Sequence, residues 1–143
     1  MQNINFRSVN VTYGESKPYP TLKNPEEVAT FLRSIAPNNS QEHVIVVYLS
    51  GSHAPIGYSV VFSGTANSCT LHPREVYQRA VLLGACKIIL AHNHPSGSCE
   101  PSKEDLLVTK QLREAGKTLA IPLLDHVIFS DTECHSMQEA GEI

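Results

Sequence analysis

Apolar positions repeat along this chain in two rhythms, every three to four residues in some stretches and every residue or every second residue in others. Asn24-Pro25-Glu26-Glu27 opens the first helical stretch, with Asn as N-cap, Pro at the first position and acids in the first turn. Val28, Phe31, Leu32 and Ile35 follow at helical spacing, and Pro37-Asn38-Asn39 ends it. His43–Ser50 is apolar on both faces, as a strand in the middle of a covered sheet must be. After a turn at Gly51–Pro55, Ile56–Ser63 reads as a second strand, and the pair predicts an antiparallel hairpin. Gly64–Ser68 reads as a loop. A second helix starts at His72-Pro73-Arg74-Glu75, with Val76, Ala80 and Leu83 on its apolar face and Gly84 near its end.

Ile88–Ala91 is a short buried strand that leads straight into His92. Pro95, Ser96 and Gly97 force a turn. Ser102 caps a third helix that runs to about Ala115, with Leu106, Leu107, Val108 and Leu112 facing inward and Gly116 just beyond its end. Thr118–Leu124 and His126–Ser130 read as two further strands, broken near Asp125, and Glu139–Ile143 as a frayed tail. Near the start, Phe6, Val9 and Val11 alternate weakly, the pattern of a short edge strand. The sequence of elements predicts the α/β class: one domain, with a mixed central β-sheet flanked by helices. Residues 1–40 would be an N-terminal segment with one helix, part of the same domain as residues 41–143.

The composition agrees with this picture and narrows it. With 143 residues and 41% hydrophobic content, the chain suits one globular domain with one core. No apolar run approaches the ~20 residues of a membrane span, and the N-terminus lacks a signal-peptide layout. The expected location is therefore cytoplasmic. A net charge of −3 and the lack of a basic stripe make direct nucleic-acid binding an unexpected role. Cys69, Cys86, Cys99 and Cys134 form no CxxC pair, so free thiols are expected, with Cys86 in the core and Cys99 in a loop open to oxidation.

The candidate chemistry lies between His92 and Asp105. At a strand end, residues two apart point the same way, so His92 and His94 can converge on one point. Asp105 lies in the first turn of the helix that follows, where its carboxylate can turn back toward that point. Two imidazoles and one carboxylate with a fourth place free form the ligand set of a catalytic zinc site, with bonds of about 2.0–2.2 Å. The plainer alternative is a pair of loop histidines followed by a capped helix. A His pair at strand spacing, a capping Ser and an acid in register together favour the metal.

The same residues carry a family resemblance. His92-x-His94, seven residues, then Ser102-x-x-Asp105 fits the JAMM metalloprotease motif His-x-His-x7-Ser-x-x-Asp without a gap. The fuller run HNHPSG, with HPREV at His72–Val76 and LLDHVI at Leu123–Ile128, resembles the RadC branch of that superfamily. The resemblance covers roughly Val44 to Phe129. It implies a JAB1/MPN fold related to the cytidine-deaminase architecture, with residues 41–143 as a RadC-like MPN domain. It also implies one Zn2+ ion on His92, His94 and Asp105, a peptide or isopeptide substrate, and Ser102 as the hydroxyl that steadies the developing oxyanion.

The family also uses a glutamate base on an earlier strand, and the expected place for it falls on Ser59, which cannot serve. That predicts a zinc site with little peptidase activity unless Glu75, Glu15 or Glu42 stands in. Glu75 in a first helical turn is otherwise a dipole-stabilising acid. His126 is a candidate to orient a ligand from behind, or a core histidine with a satisfied hydrogen bond. His72 and Arg74 are candidates to line the cleft, with Arg74 pairing with Glu75 or Asp125. His43, His53 and His135 read as surface residues. The rival functions are a non-catalytic, metal-stabilised binding module and an accessory protein linked to DNA repair, the label the RadC family carries. Longer members of the family have an N-terminal helix-hairpin-helix segment, which is not expected within this sequence. A zinc deaminase would need H-x-E and P-C-x-x-C, which this sequence lacks.

Overall fold

The computed structural model describes residues 19–64 and 71–143. Its elements in chain order are α1 (Pro25–Ile35), β1 (Glu42–Leu49), β2 (Pro55–Gly64), α2 (Pro73–Leu83), β3 (Lys87–Asn93), α3 (Lys103–Leu119), β4 (Leu123–Phe129) and β5 (Cys134–Ser136). The expectations for Phe6–Val11, Glu15, the Thr65–Ser68 loop and Cys69 fall outside the described residues.

The strands form one mixed sheet in the order β2-β1-β3-β4-β5. β1 pairs antiparallel with β2 and with β3, while β3 and β4 are parallel and are joined across the sheet by α3. Alternation in the strands sends side chains to two faces, each covered by helix. On one face Val44, Val46, Tyr48, Ile88 and Leu90 pack against Val76, Tyr77 and Ala80 of α2 and Leu112 of α3. On the other face Ile45, Val47, Leu49, Ile89, Ala91 and Val127 pack against Val28, Phe31 and Leu32 of α1. The arrangement is a single α/β domain consistent with a JAB/MPN fold. No helix among the described residues is long and apolar enough to cross a membrane.

Several local expectations are corrected. α3 does not stop before Gly116; it continues to Leu119 and ends on Ala120, which takes the left-handed conformation at φ 58°. Gly116 is instead a buried contact point, because a Cβ there would meet the Tyr77 hydroxyl and lie 2.6 Å from the Ile121 carbonyl. Residues 118–119 are therefore helical, and β4 runs unbroken through Asp125. Leu106 and Leu107 lie on the exposed side of α3, while Thr109 and Leu112 turn inward. The metal loop follows β3, the central strand of the sheet. The chain after β5 is no frayed tail: Glu142 N–H donates to Met137 O, and its carboxylate is 3.0 Å from His135 Nε2. Cys86 is exposed, whereas Cys99 is buried. His43 is a buried residue rather than a surface one, and His53 and His135 are partly buried.

Candidate metal centre

β3 carries the site because its last turn of pleat changes character. Ile88 and Leu90 face the α2–α3 side, and the next residue in that series is His92. His92 is buried, and His94, just past the strand end, is partly exposed. Their Nε2 atoms lie 2.8 Å apart. The Asp105 carboxylate oxygen Oδ2 lies 3.3 Å from His92 Nε2 and 3.8 Å from His94 Nε2. Donor atoms bound tetrahedrally to one ion at about 2.0–2.2 Å sit roughly 3.3–3.6 Å from each other, so the observed spacings bracket those of a metal ligand set.

Asp105 is held there by helix capping. Ser102 Oγ accepts from the Asp105 N–H at 3.1 Å, and Asp105 Oδ2 accepts from the Ser102 N–H at 2.8 Å, a reciprocal box. Burial works against the Asp105 carboxylate. The adjoining His92 ring, the Ser102 N–H and the Ser102 side chain outweigh it and hold the carboxyl well below the usual range. The capping role of Ser102 uses its oxygen as an acceptor, so the hydroxyl proton is not consumed by the cap. Capping and hydrogen-bond donation therefore do not compete for the same lone pair or proton, although they share one side chain.

Both imidazoles are oriented from behind. His94 Nδ1 donates to the Ser98 carbonyl at 2.8 Å, which leaves its Nε2 lone pair facing the cleft. His92 Nδ1 lies 2.7 Å from His126 Nε2, and His126 Nδ1 lies 2.6 Å from Thr109 Oγ1. The Thr109 hydroxyl also reaches the Asp105 carbonyl at 2.7 Å. One proton arrangement satisfies all three contacts: His92 donates to His126, His126 to Thr109, and Thr109 to the Asp105 carbonyl. In that arrangement His92 Nε2 is a bare lone pair, as a metal ligand must be. Burial, then the nearby His92, lowers the His126 pKa to about 3, so this ring is neutral. His126 thus sits directly behind a candidate ligand.

Glu42, one of the three acids that could stand in for the missing base, reaches the histidine pair. It opens β1, on the same face as Val44 and Val46, and a carboxylate oxygen comes within 4.8 Å of the His92 and His94 nitrogens. With Val44, Leu71, Val108, His126 and Ser102 it lines a cleft of about 390 Å³. Two carboxylates therefore approach the histidine pair. Asp105 is the closer and is anchored by Ser102; Glu42 lines the same cleft. The position expected to hold the base, Ser59, lies elsewhere. It pairs with Val46 in the sheet, four residues or roughly 13 Å along the strand from Glu42. Its hydroxyl is 2.6 Å from the Tyr48 hydroxyl.

Arg74 and Glu75 are exposed in the first turn of α2, and neither lines the cleft. Neither forms the expected Arg74 pairs among the described residues; the Glu75 carbonyl instead accepts from Arg79. His72 is exposed at the α2 N-cap and makes no side-chain cap bond. Asp125 faces away from the site and accepts from the Ser136 hydroxyl at 2.6 Å. Glu42 was findable from sequence as the acid that opens a strand whose alternate residues, Val44 and Val46, are apolar. What was missing was the register: Val44 pairs with His92, which places the start of β1 beside the metal loop.

Comparison with known proteins agrees with this geometry. Residues 22–142 match the family described as RadC-like JAB domain. Similar proteins include a UPF0758 protein of Staphylococcus carnosus, 42% identical over 120 residues, covering 84% of this chain and 53% of the relative. A UPF0758 protein of Bacillus licheniformis is 43% identical over 120 residues, covering 84% of this chain and 54% of the relative. One of Bacillus anthracis is 40% identical over 123 residues, with 86% and 55% covered. The chain thus spans about half the length of the curated relatives it matches. With a family match over nearly all the described residues, and a His-x-His loop, a capped aspartate and a cleft at the end of a mixed sheet, this chain belongs to the RadC-like JAB domain family.

Proposed function

We propose that this chain is a zinc-dependent hydrolase of peptide or isopeptide bonds. The observation that carries the reading is the convergence of His92 Nε2, His94 Nε2 and Asp105 Oδ2 within 2.8–3.8 Å of one another, with a Glu42 carboxylate oxygen within 4.8 Å of the two histidine nitrogens. His92, His94 and Asp105 would hold the ion, and they fit it, because the second ring nitrogen of each histidine is engaged by the protein and Asp105 Oδ2 is held in place by the Ser102 N–H. Zinc bound there supplies Lewis acidity, polarising a carbonyl and lowering the pKa of water toward about 7. Glu42 is the base: its carboxylate takes the proton of the attacking water and returns it to the leaving amine. Ser102 donates its hydroxyl proton to the oxygen that gains charge, while its lone pair stays on the helix cap. With Glu42 in this role, Ser59 no longer gives a reason to expect a crippled site.

Zinc content and hydrolysis of peptide and isopeptide substrates test the reading together. His92→Ala should lose stoichiometric zinc. At saturating zinc, Glu42→Gln should stay loaded and lose about 10²–10⁴-fold in rate. A parent that binds zinc tightly yet cleaves no substrate would favour a metal-stabilised binding module, and an Asp105→Ala variant with undiminished zinc would remove Asp105 from the ligand set.

A further inference from the structure

Between the two candidate histidine ligands stands Asn93, the last residue of β3, with its side chain on the opposite face of the sheet from His92. It is buried, 4% exposed, and both ends of its amide are used. Asn93 Oδ1 accepts from the His43 N–H at 2.8 Å, and Asn93 Nδ2 donates to the Gln41 carbonyl at 3.1 Å. The two groups it holds belong to the residues on either side of Glu42. The main-chain pairing of β1 with β3 extends only as far as Val44 and His92. Beyond that pair, the Asn93 amide does for the start of β1 what a neighbouring strand's peptide would do. The assignment of its oxygen and nitrogen follows from chemistry, since an N–H needs an acceptor and a carbonyl needs a donor. The side chain of His43 secures the same segment from another direction, donating from Nε2 to the Asn38 carbonyl at 2.7 Å and meeting Ser63 Oγ at 2.6 Å through Nδ1.

We infer that Asn93 is a positioning residue: it fixes the backbone around Glu42 and so holds that carboxylate at the His92–His94 pair. The inference rests on the metal-centre reading above and deepens it, because the middle residue of His-Asn-His then ties the metal loop to the strand that supplies the base. An apolar residue at this point would leave both backbone groups without a partner, and a purely acceptor residue would leave the Gln41 carbonyl without one. The position therefore calls for an amide for reasons separate from metal ligation.

The test uses zinc alone as the probe and needs no substrate. Zinc dissociation constants are measured by competition for the parent, Asn93→Ala, Glu42→Gln and the double variant, each first shown to melt cooperatively. A carboxylate about 5 Å from a dication strengthens its binding roughly tenfold even in a watery dielectric, so Glu42→Gln should weaken zinc by about that factor. Asn93→Ala should weaken it by roughly 3- to 10-fold in the parent and by less than about twofold in the Glu42→Gln background. Equal losses in both backgrounds, or no loss in either, would overturn the positioning role. Amide hydrogen exchange on the parent supplies a reading that does not depend on a variant folding: the His43 N–H should be protected like the neighbouring strand amides, and free exchange there would also overturn the proposal. A parent that binds no zinc would sink the metal-centre reading and this inference together, whereas a zinc-binding parent with additive variants sinks the inference alone.

Discussion

Replacing Thr109 by Val tests whether the buried hydrogen-bond chain behind His92 sets that ring's tautomer. The substitution keeps shape and β-branching and removes one hydroxyl. That hydroxyl has two strong partners, His126 Nδ1 at 2.6 Å and the Asp105 carbonyl at 2.7 Å. The carbonyl lies inside α3 and keeps its helical acceptor role, so the cost falls on His126, which is only 2% exposed. Two responses are open to the ring. It can keep its proton on Nδ1 without a partner, at about 1–3 kcal/mol for a stranded buried donor. Or it can move the proton to Nε2, donate to His92 Nδ1, and so force the His92 proton onto Nε2, where it blocks the metal-facing lone pair. Both responses weaken the site, and they predict a joint result. Denaturant unfolding of the metal-free protein should show a loss of about 1–3 kcal/mol. Zinc competition should show affinity reduced about 10–100-fold, the usual effect of removing a group that orients a ligand. Thr109→Ser should recover most of both. A Val variant within 0.5 kcal/mol of the parent, with parental zinc affinity, would refute the relay and leave His126 as an ordinary core histidine.

The remaining predictions concern single groups. Ser102→Gly removes the hydroxyl while costing the helix cap only a few tenths of a kcal/mol, so melting should barely change, whereas hydrolysis should fall about 10²–10³-fold; a rate within twofold of the parent would exclude the oxyanion role. His126, with its pKa lowered to about 3 from an ordinary 6.5, binds its proton more readily in the unfolded chain. Stability of the metal-free protein should therefore be complete above about pH 6.5 and fall as pH drops toward 3, and His126→Phe should flatten that slope in denaturant titrations across the window. Gly116→Ala should destabilise the protein despite the better helix propensity of Ala, since the new Cβ would lie 2.6 Å from the Ile121 carbonyl and meet the Tyr77 hydroxyl; a melting point at or above the parent's would show that α3 can shift to make room.

The order and type of the main elements follow from local sequence because burial on two sheet faces imposes recognisable periods. Val44–Leu49 could not be other than a central strand, and Asn24-Pro25-Glu26-Glu27 marked the start of α1 to the residue, with Asn24 accepting from the Glu27 N–H. The structure departs from the local pattern where one signal has two physical causes. Gly116 resembled a helix stop because glycine suits a C-terminal cap, but here glycine allows α3 to lie against the Ile121–Leu123 backbone. Leu106 and Leu107 resembled core residues because they are leucines, yet the helix phase set by Leu112 and Thr109 turns them outward. Cys86 followed the apolar habit of its neighbours and ended in the open link between α2 and β3.

The ligand candidates His92, His94 and Asp105 were legible in the chain because they lie within fourteen consecutive residues, and strand pleat and helix capping are local rules that bring them to one point. Glu42 lies fifty residues before His92, and only the sheet order and the Val44–His92 register bring it to the same cleft. The same holds for the chain of contacts from His92 through His126 to Thr109, which joins two parallel strands to the helix that crosses between them. Sequence by itself thus determined the local chemistry, the capped aspartate and the paired imidazoles. Tertiary structure decided which distant acid faces them and which groups hold them still, because register is a property of paired strands and neither strand contains it alone.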